Sequence, residues 1–205
     1  MKSYPSITKD VRKDLIVFAF GKLDGSNIRA EWNPKKGFYK FGSRNQLIDE
    51  SSQQLGKAIP LIKEKYQEDL TRIFTKLKYE SAICFFEYYG PNSFAGAHSD
   101  KDNHTVTMFD VNPYKHGLLE PVEFMEYFGQ LDVQKLLHMG IVTEDLFDKV
   151  KQSTLPGMPF EGVVCKAAND KKTKMPIMFK IKSQAWLDKL KEFCKGDDKL
   201  FQKLM

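Results

Sequence analysis

Cysteine is scarce in this chain: Cys84, Cys165 and Cys194 are its three, and no C-x-x-C spacing occurs. An odd and scattered set excludes a disulfide framework and a zinc knuckle, and leaves small hydrophobes suited to a reducing compartment. Long apolar runs are also missing, so no membrane contact is expected. The start, Met1-Lys2-Ser3-Tyr4-Pro5, turns polar at once and carries no signal-peptide core, which points to the cytoplasm. Internal repeats and low-complexity linkers are absent too, so nothing marks a second domain within 1–205.

What is present is an ordinary globular composition, 41% hydrophobic and 29% charged, long enough for a real core. The net charge of +5 and a pI near 8.9 suit a polyanionic partner without requiring one. Basic residues gather at Lys35-Lys36, at Lys171-Lys172 with Lys174, and from Lys180 to Lys195. Aromatic and β-branched runs predict strands over 14–21, 26–32, 37–43, 81–89, 104–111, 162–167 and 176–182. Ile62, Tyr66, Leu70, Ile73, Phe74 and Leu77 recur at helical steps, predicting a helix over 60–78 with Pro60 in its first turn. Shorter helices are expected after Pro121, from the cap Thr143 to about 152, and after the cap Ser183. The pattern predicts an α+β domain with largely antiparallel sheets and a C-terminal helix.

The chemistry begins at Lys22-Leu23-Asp24-Gly25, where an apolar run ends in a glycine turn. A lysine there has an apolar-walled stem and a tip near polar ligands, and desolvation with nearby cations favours a neutral, nucleophilic amine. Read alone, the same residues make an Asp-Gly hairpin turn with a solvated flanking lysine. Lys180 and Lys182 alternate on a strand and share a face, so two ammonium groups there call for a polyanion such as a phosphate chain. Glu87 and Glu161 are separated carboxylates of the kind that Mg²⁺ accepts alongside phosphates and water, and Glu87 also suits a ribose hydroxyl. Arg29 and Arg44 offer planar forks for phosphate, and Phe109 a flat face for a purine. Alternating Phe-Lys-Ile-Lys also describes an amphipathic edge strand, and Phe109 alone reads as core. Asp100, Asp102 and His104 fit no metal spacing and read as a solvated connection; His98, His116 and His138 carry no assignment.

In order, these segments are K-x-D-G at Lys22, S-R at Ser43-Arg44, F-E-x-x-G at Phe86-Glu87, F-D-V at Phe109-Asp110-Val111, E-G-V-V-x-K at Glu161 to Lys166, and K-x-K at Lys180-Lys182. The set resembles the covalent nucleotidyltransferase superfamily of ATP-dependent ligases and capping enzymes, most closely its phage-type RNA ligases, over about 22–182. The resemblance implies an adenylation-domain fold with a nucleotide cleft flanked by the sheets. It implies that Lys22 becomes joined to AMP from ATP, with Asp24 and Gly25 in the same motif. By the same resemblance Arg29 and Arg44 contact phosphate or ribose, Glu87 binds ribose or metal, Phe109 faces adenine, and Glu161 binds Mg²⁺ or Mn²⁺. Lys180 and Lys182 then hold the triphosphate, with Lys166 beside them.

The expected reaction is transfer of AMP to a 5′-phosphate end, then sealing to a 3′-hydroxyl, on RNA rather than DNA, as in RNA repair, and in host cytoplasm if the gene is phage-borne. The alternatives are a minimal DNA ligase and a non-catalytic nucleotide- or nucleic-acid-binding module. Gly21 departs from the pattern, because relatives often carry an acid there for the adenine amino group. Only 23 residues follow Lys182, too few for an appended OB-fold. End recognition is therefore expected from the basic surface, with salt-sensitive binding, or from a partner protein.

Overall fold

The computed structural model describes residues 1–170, 172 and 175–205, so Lys171 and Lys174 of the basic run lie outside the described residues. In chain order the elements are β1 (Ile16–Lys22), β2 (Ser26–Asn33), β3 (Gly37–Ser43), β4 (Leu47–Ile48), α1 (Gln53–Gly56), α2 (Ala58–Lys76), β5 (Ala82–Tyr89) and β6 (Thr105–Pro113). There follow α3 (Pro121–Phe128), β7 (Leu136–Ile141), α4 (Glu144–Lys151), β8 (Gly162–Lys166), β9 (Met178–Lys182), α5 (Gln184–Cys194) and α6 (Asp198–Leu204). The chain divides into one unit of Met1–Pro5 with Gly25–Val133, and another of Ser6–Asp24 with Gln134–Met205.

The first unit is a five-stranded antiparallel sheet, ordered β4-β3-β2-β5-β6, with α2 against one face. Alternation along β2 sends Ile28, Ala30 and Trp32 into the core with Tyr66, Leu70 and Phe74 of α2. The Trp32 indole N–H donates to Thr71 Oγ1 at 2.9 Å, so its polar tip is satisfied inside the core. Asn27 and Arg29 take the other face, where their partners on β5 are Glu87 and Phe85.

The second unit is a four-stranded antiparallel sheet, ordered β7-β1-β8-β9. Val17 and Ala19, Val163 and Cys165, and Phe179 and Ile181 pack with Leu146 and Val150 of α4. The expected caps are in place: Thr143 accepts from Leu146 N at 3.1 Å, and Ser183 accepts from Trp186 N at 3.1 Å. Two helices follow β9 rather than one, because Asp197 caps α6 through Leu200 N at 3.0 Å.

Candidate functional site

Within the second unit, register builds the site. Lys22 of β1 pairs with Gly162 of β8, and Gly162 pairs with Lys182 of β9. Directly opposed residues share a face, so both lysines rise on the side away from α4 with a bare glycine between them. The next rung holds Phe20, Val164 and Lys180, and the one after it Phe18, Lys166 and Met178. Lys22, Lys166, Lys180 and Lys182 therefore share one sheet face, and the Lys166 ammonium lies 5.1 Å from the Phe20 ring centre.

Glu161, immediately before β8, is only 4% exposed and ties the first rung together. Lys22 Nζ donates to its Oε2 at 2.8 Å, and Lys182 Nζ is 2.9 Å from its Oε1. The expected setting for a lysine nucleophile surrounded by cations thus contains a carboxylate as Lys22's ion-pair partner. Burial pushes the Lys182 amine below its ordinary value; Glu161 opposes that shift and Lys22 adds to it. Lys180 is pushed down to about 8, first by burial, then by the charges of Lys182 and Lys22.

The entry to α5 holds this arrangement in place. Ser183 N donates to Glu161 O at 3.0 Å, while Ser183 Oγ donates to Phe160 O at 2.7 Å. Trp186 lies under the Lys182 ammonium, 3.5 Å from Nζ to the ring centre, a close cation–π contact. Its indole N–H donates to Asp24 Oδ2 at 3.3 Å, so Asp24 of K-x-D-G is held by α5. Gly21 has a local reason: a Cβ there would meet Pro159 Cδ at 2.6 Å, and an acidic side chain has no room without displacing that ring.

The remaining predicted residues stand in the first unit. The β5–β6 register shifts between Phe85 and Phe86, leaving Phe109 as the extra residue of a bulge. Phe109 thereby comes beside Phe85, with ring centres 6.2 Å apart, and Tyr4 sets its ring edge-on to both at 5.0 Å. Tyr4 OH donates to Asp110 Oδ2 at 2.8 Å, and burial is the first cause that raises this phenol's pKa. Arg29 Nη1 donates to Met1 O at 3.1 Å and Ser3 Oγ at 2.7 Å, while its Nε and the Asn27 Oδ1 are buried without a partner. Glu87 lies on the same sheet face as Arg29, and Arg44 lies just past the end of β3. Gly25 is forced: a Cβ would meet Tyr88 O at 2.3 Å.

Three contacts were not foreseen. Tyr4 has no motif around it. His98 Nε2 hydrogen-bonds to Ser26 Oγ at 2.8 Å; His104 stacks on Tyr88, and the His98 ring packs tilted against it. The third is Lys9, beside Lys180. Among the described residues no three His, Cys, Asp or Glu side chains form a ready metal site.

No family model matches the chain, and no curated protein matches it. Solved structures do match, and they show that this mixed α/β chain with antiparallel sheets is similar in fold to RNA ligase. A Naegleria gruberi RNA ligase with PPi superposes with a TM-score of 0.64 at 16% identity, covering 94% of this chain and 60% of that one. A mutant of the same ligase with ATP and Mn gives 0.62 at 16% identity, over 86% of this chain and 52% of the other. A further mutant, with AMP and Mn, gives 0.59 at 16% identity, over 92% and 59%. The chain thus spans between 52% and 60% of these structures' lengths.

Proposed function

We propose that the chain is an ATP-dependent RNA ligase of the covalent nucleotidyltransferase type, and that 1–205 acts as a single adenylyltransferase domain. The observation that carries this reading is the Lys22–Glu161–Lys182 rung, with Lys180 one rung away, in a fold like that of RNA ligases solved with ATP, AMP and PPi.

The first step is in-line displacement at the α-phosphorus. Lys22 leaves its ion pair with Glu161, passes a proton to solvent water, and its neutral amine forms a bond to phosphorus. The bond to the bridging oxygen breaks, and both electrons depart with pyrophosphate. Charge grows on that leaving oxygen, so the preorganised cations Lys180 and Lys182 are the main catalytic device. Glu161 in the second unit and Glu87 in the first are each a carboxylate that would suit a divalent ion such as Mg²⁺ or Mn²⁺ held mainly by phosphates and water. When bound, such an ion would neutralise charge on the phosphate oxygens. Phe109 serves the adenine face, Arg29 and Arg44 phosphate or ribose, and Lys166 supports the phosphate lysines. AMP then passes to a 5′-phosphate end, and a 3′-hydroxyl displaces it to seal the strand. Covalent catalysis thus divides one hard condensation into transfers with good leaving groups.

ATP labelled at the α-phosphate, incubated with the protein and Mg²⁺, should leave acid-labile, alkali-stable label on the chain. Lys22→Ala should abolish it. No label, or label persisting in Lys22→Ala, would defeat the proposal and favour a non-catalytic nucleotide-binding module. Nicks that differ only in the sugar flanking the break separate an RNA ligase from a minimal DNA ligase, because the 2′-hydroxyl is the distinguishing group.

A further inference from the structure

Trp186 belongs to none of the motifs, yet it touches two of them. β9 ends at Lys182, Ser183 caps α5, and the first turn of that helix brings Trp186 back beneath the lysine. Ser183 Oγ accepts from Trp186 N at 3.1 Å, which fixes the turn. The indole is buried, its ring centre is 3.5 Å from Lys182 Nζ, and its N–H donates to Asp24 Oδ2 at 3.3 Å. One side chain thus joins the aspartate of K-x-D-G to the last lysine of K-x-K, all within the second unit.

Burial works against the charge on Lys182. The charged groups about it are Glu161 before β8, Lys22 and Asp24 at the end of β1, and Lys180 on its own strand. Lys9 and Lys151 line the pocket at the β9 edge with it, and Leu204 O on α6 accepts from its Nζ at 3.2 Å. Glu161 and Asp24 favour the charged amine, and Lys22 opposes it. The aromatic face acts differently from either carboxylate. It attracts the cation through its quadrupole but carries no net charge, so it does not repel an arriving phosphate. A ring already packed in place also needs no rearrangement when charge develops nearby.

We propose that Trp186 is a positioning residue for nucleotidyl transfer: its ring holds the Lys182 ammonium charged and in place, while its N–H fixes Asp24. The assignment rests on the nucleotidyl-transfer reading above. It adds a residue that no motif covers.

NMR titration of the lysine amines in the full chain, with the Lys182 signal assigned through Lys182→Arg, tests it. In the unaltered chain the Lys182 ε-methylene protons should be shifted upfield by the indole ring current. Trp186→Leu removes both contacts, and the Lys182 midpoint should fall by about one pH unit, the size of a desolvated cation–π contact. Trp186→Phe keeps an aromatic face, lacks the N–H, and should restore most of that shift. Leu190→Ala opens a cavity on the buried side of the same helix and should leave the midpoint unchanged. No ring-current shift, an unmoved midpoint in Trp186→Leu, or an equal fall in Leu190→Ala would overturn the assignment. Label transfer to Lys22 at saturating ATP is measured in parallel, and should drop about tenfold in Trp186→Leu. If the unaltered chain takes no label while the midpoint shifts, the ligase reading falls and the coupling of Trp186 to Lys182 stands. If it takes label and Trp186→Leu labels at the full rate, only the positioning role falls.

Discussion

Lys22 and Lys182 flank the same glycine in one rung of a sheet, and each pairs with a different oxygen of Glu161, at 2.8 and 2.9 Å. Removing that carboxylate's charge leaves a buried ammonium, Lys182, without its counterion. Glu161→Gln should therefore destabilise the protein by about 3 kcal/mol, as expected for breaking a buried pair, read by urea denaturation. Label transfer to Lys22 should fall at least about a hundredfold, in line with losing a preorganised electrostatic group. Wild-type stability with ordinary labelling would show that Glu161 neither holds nor serves these lysines.

Gly162 has a second constraint besides the rung. Its φ of +132° suits glycine, and a Cβ there would meet Ile181 O at 2.2 Å and Lys182 Cα at 2.9 Å. Gly162→Ala forces β8 and β9 apart at the point where Glu161 and Lys182 meet. The expected cost is about 3 kcal/mol, from backbone strain and overpacking together, seen as a lowered Tm. Labelling should fall with it even at temperatures where the variant is folded, because the Glu161–Lys182 pair is displaced.

Much of this was legible in the chain because its local and tertiary demands coincide. The alternation in Phe179-Lys180-Ile181-Lys182 is real: Phe179 and Ile181 are core, and the lysines take the opposite face. What escaped notice lacks a pattern. β7 is an edge strand with Ile141 and Met139 exposed and Gly140 at φ +146°, so no apolar alternation marks it. β4 has two residues, and α6 buries none of its own, so it shows no apolar stripe. Tyr4 gains its place only through a distant pairing, with Asp110, and no window of sequence contains both partners. The Phe109 bulge is likewise invisible locally, since its cause is a slip in register against β5.

Tyr4 supplies the third prediction. Tyr4→Phe keeps the ring against Phe85 and Phe109 and deletes only the hydroxyl that donates to Asp110. The variant should lose about 1.5–3 kcal/mol, the range for a hydrogen bond to a charged acceptor. Tyr4→Ala should lose more, because a buried aromatic contact goes as well. Thermal unfolding followed by near-UV signal distinguishes the two. Equal stability of Tyr4→Phe and wild type would mean that the Asp110 contact contributes nothing.

Lys180 gives a pH dependence with a definite sign. Its folded pKa of about 8 lies below that of an unfolded lysine, so between these values the unfolded chain binds more protons. The charged amine thus costs the fold stability below about pH 8, and that cost is relieved as pH rises towards the unfolded value. Anion binding has the opposite trend, because the neutral amine attracts phosphate less. Pyrophosphate affinity should fall as pH climbs through 8, while stability without ligand rises over the same interval. Lys180→Arg, which stays charged throughout, should reduce both trends, leaving the share that Lys182 contributes, since its amine is also pushed down. Calorimetry and urea denaturation at matched pH read the two limbs. If affinity is flat across pH 7–9 in the unaltered chain, Lys180 does not face the anion.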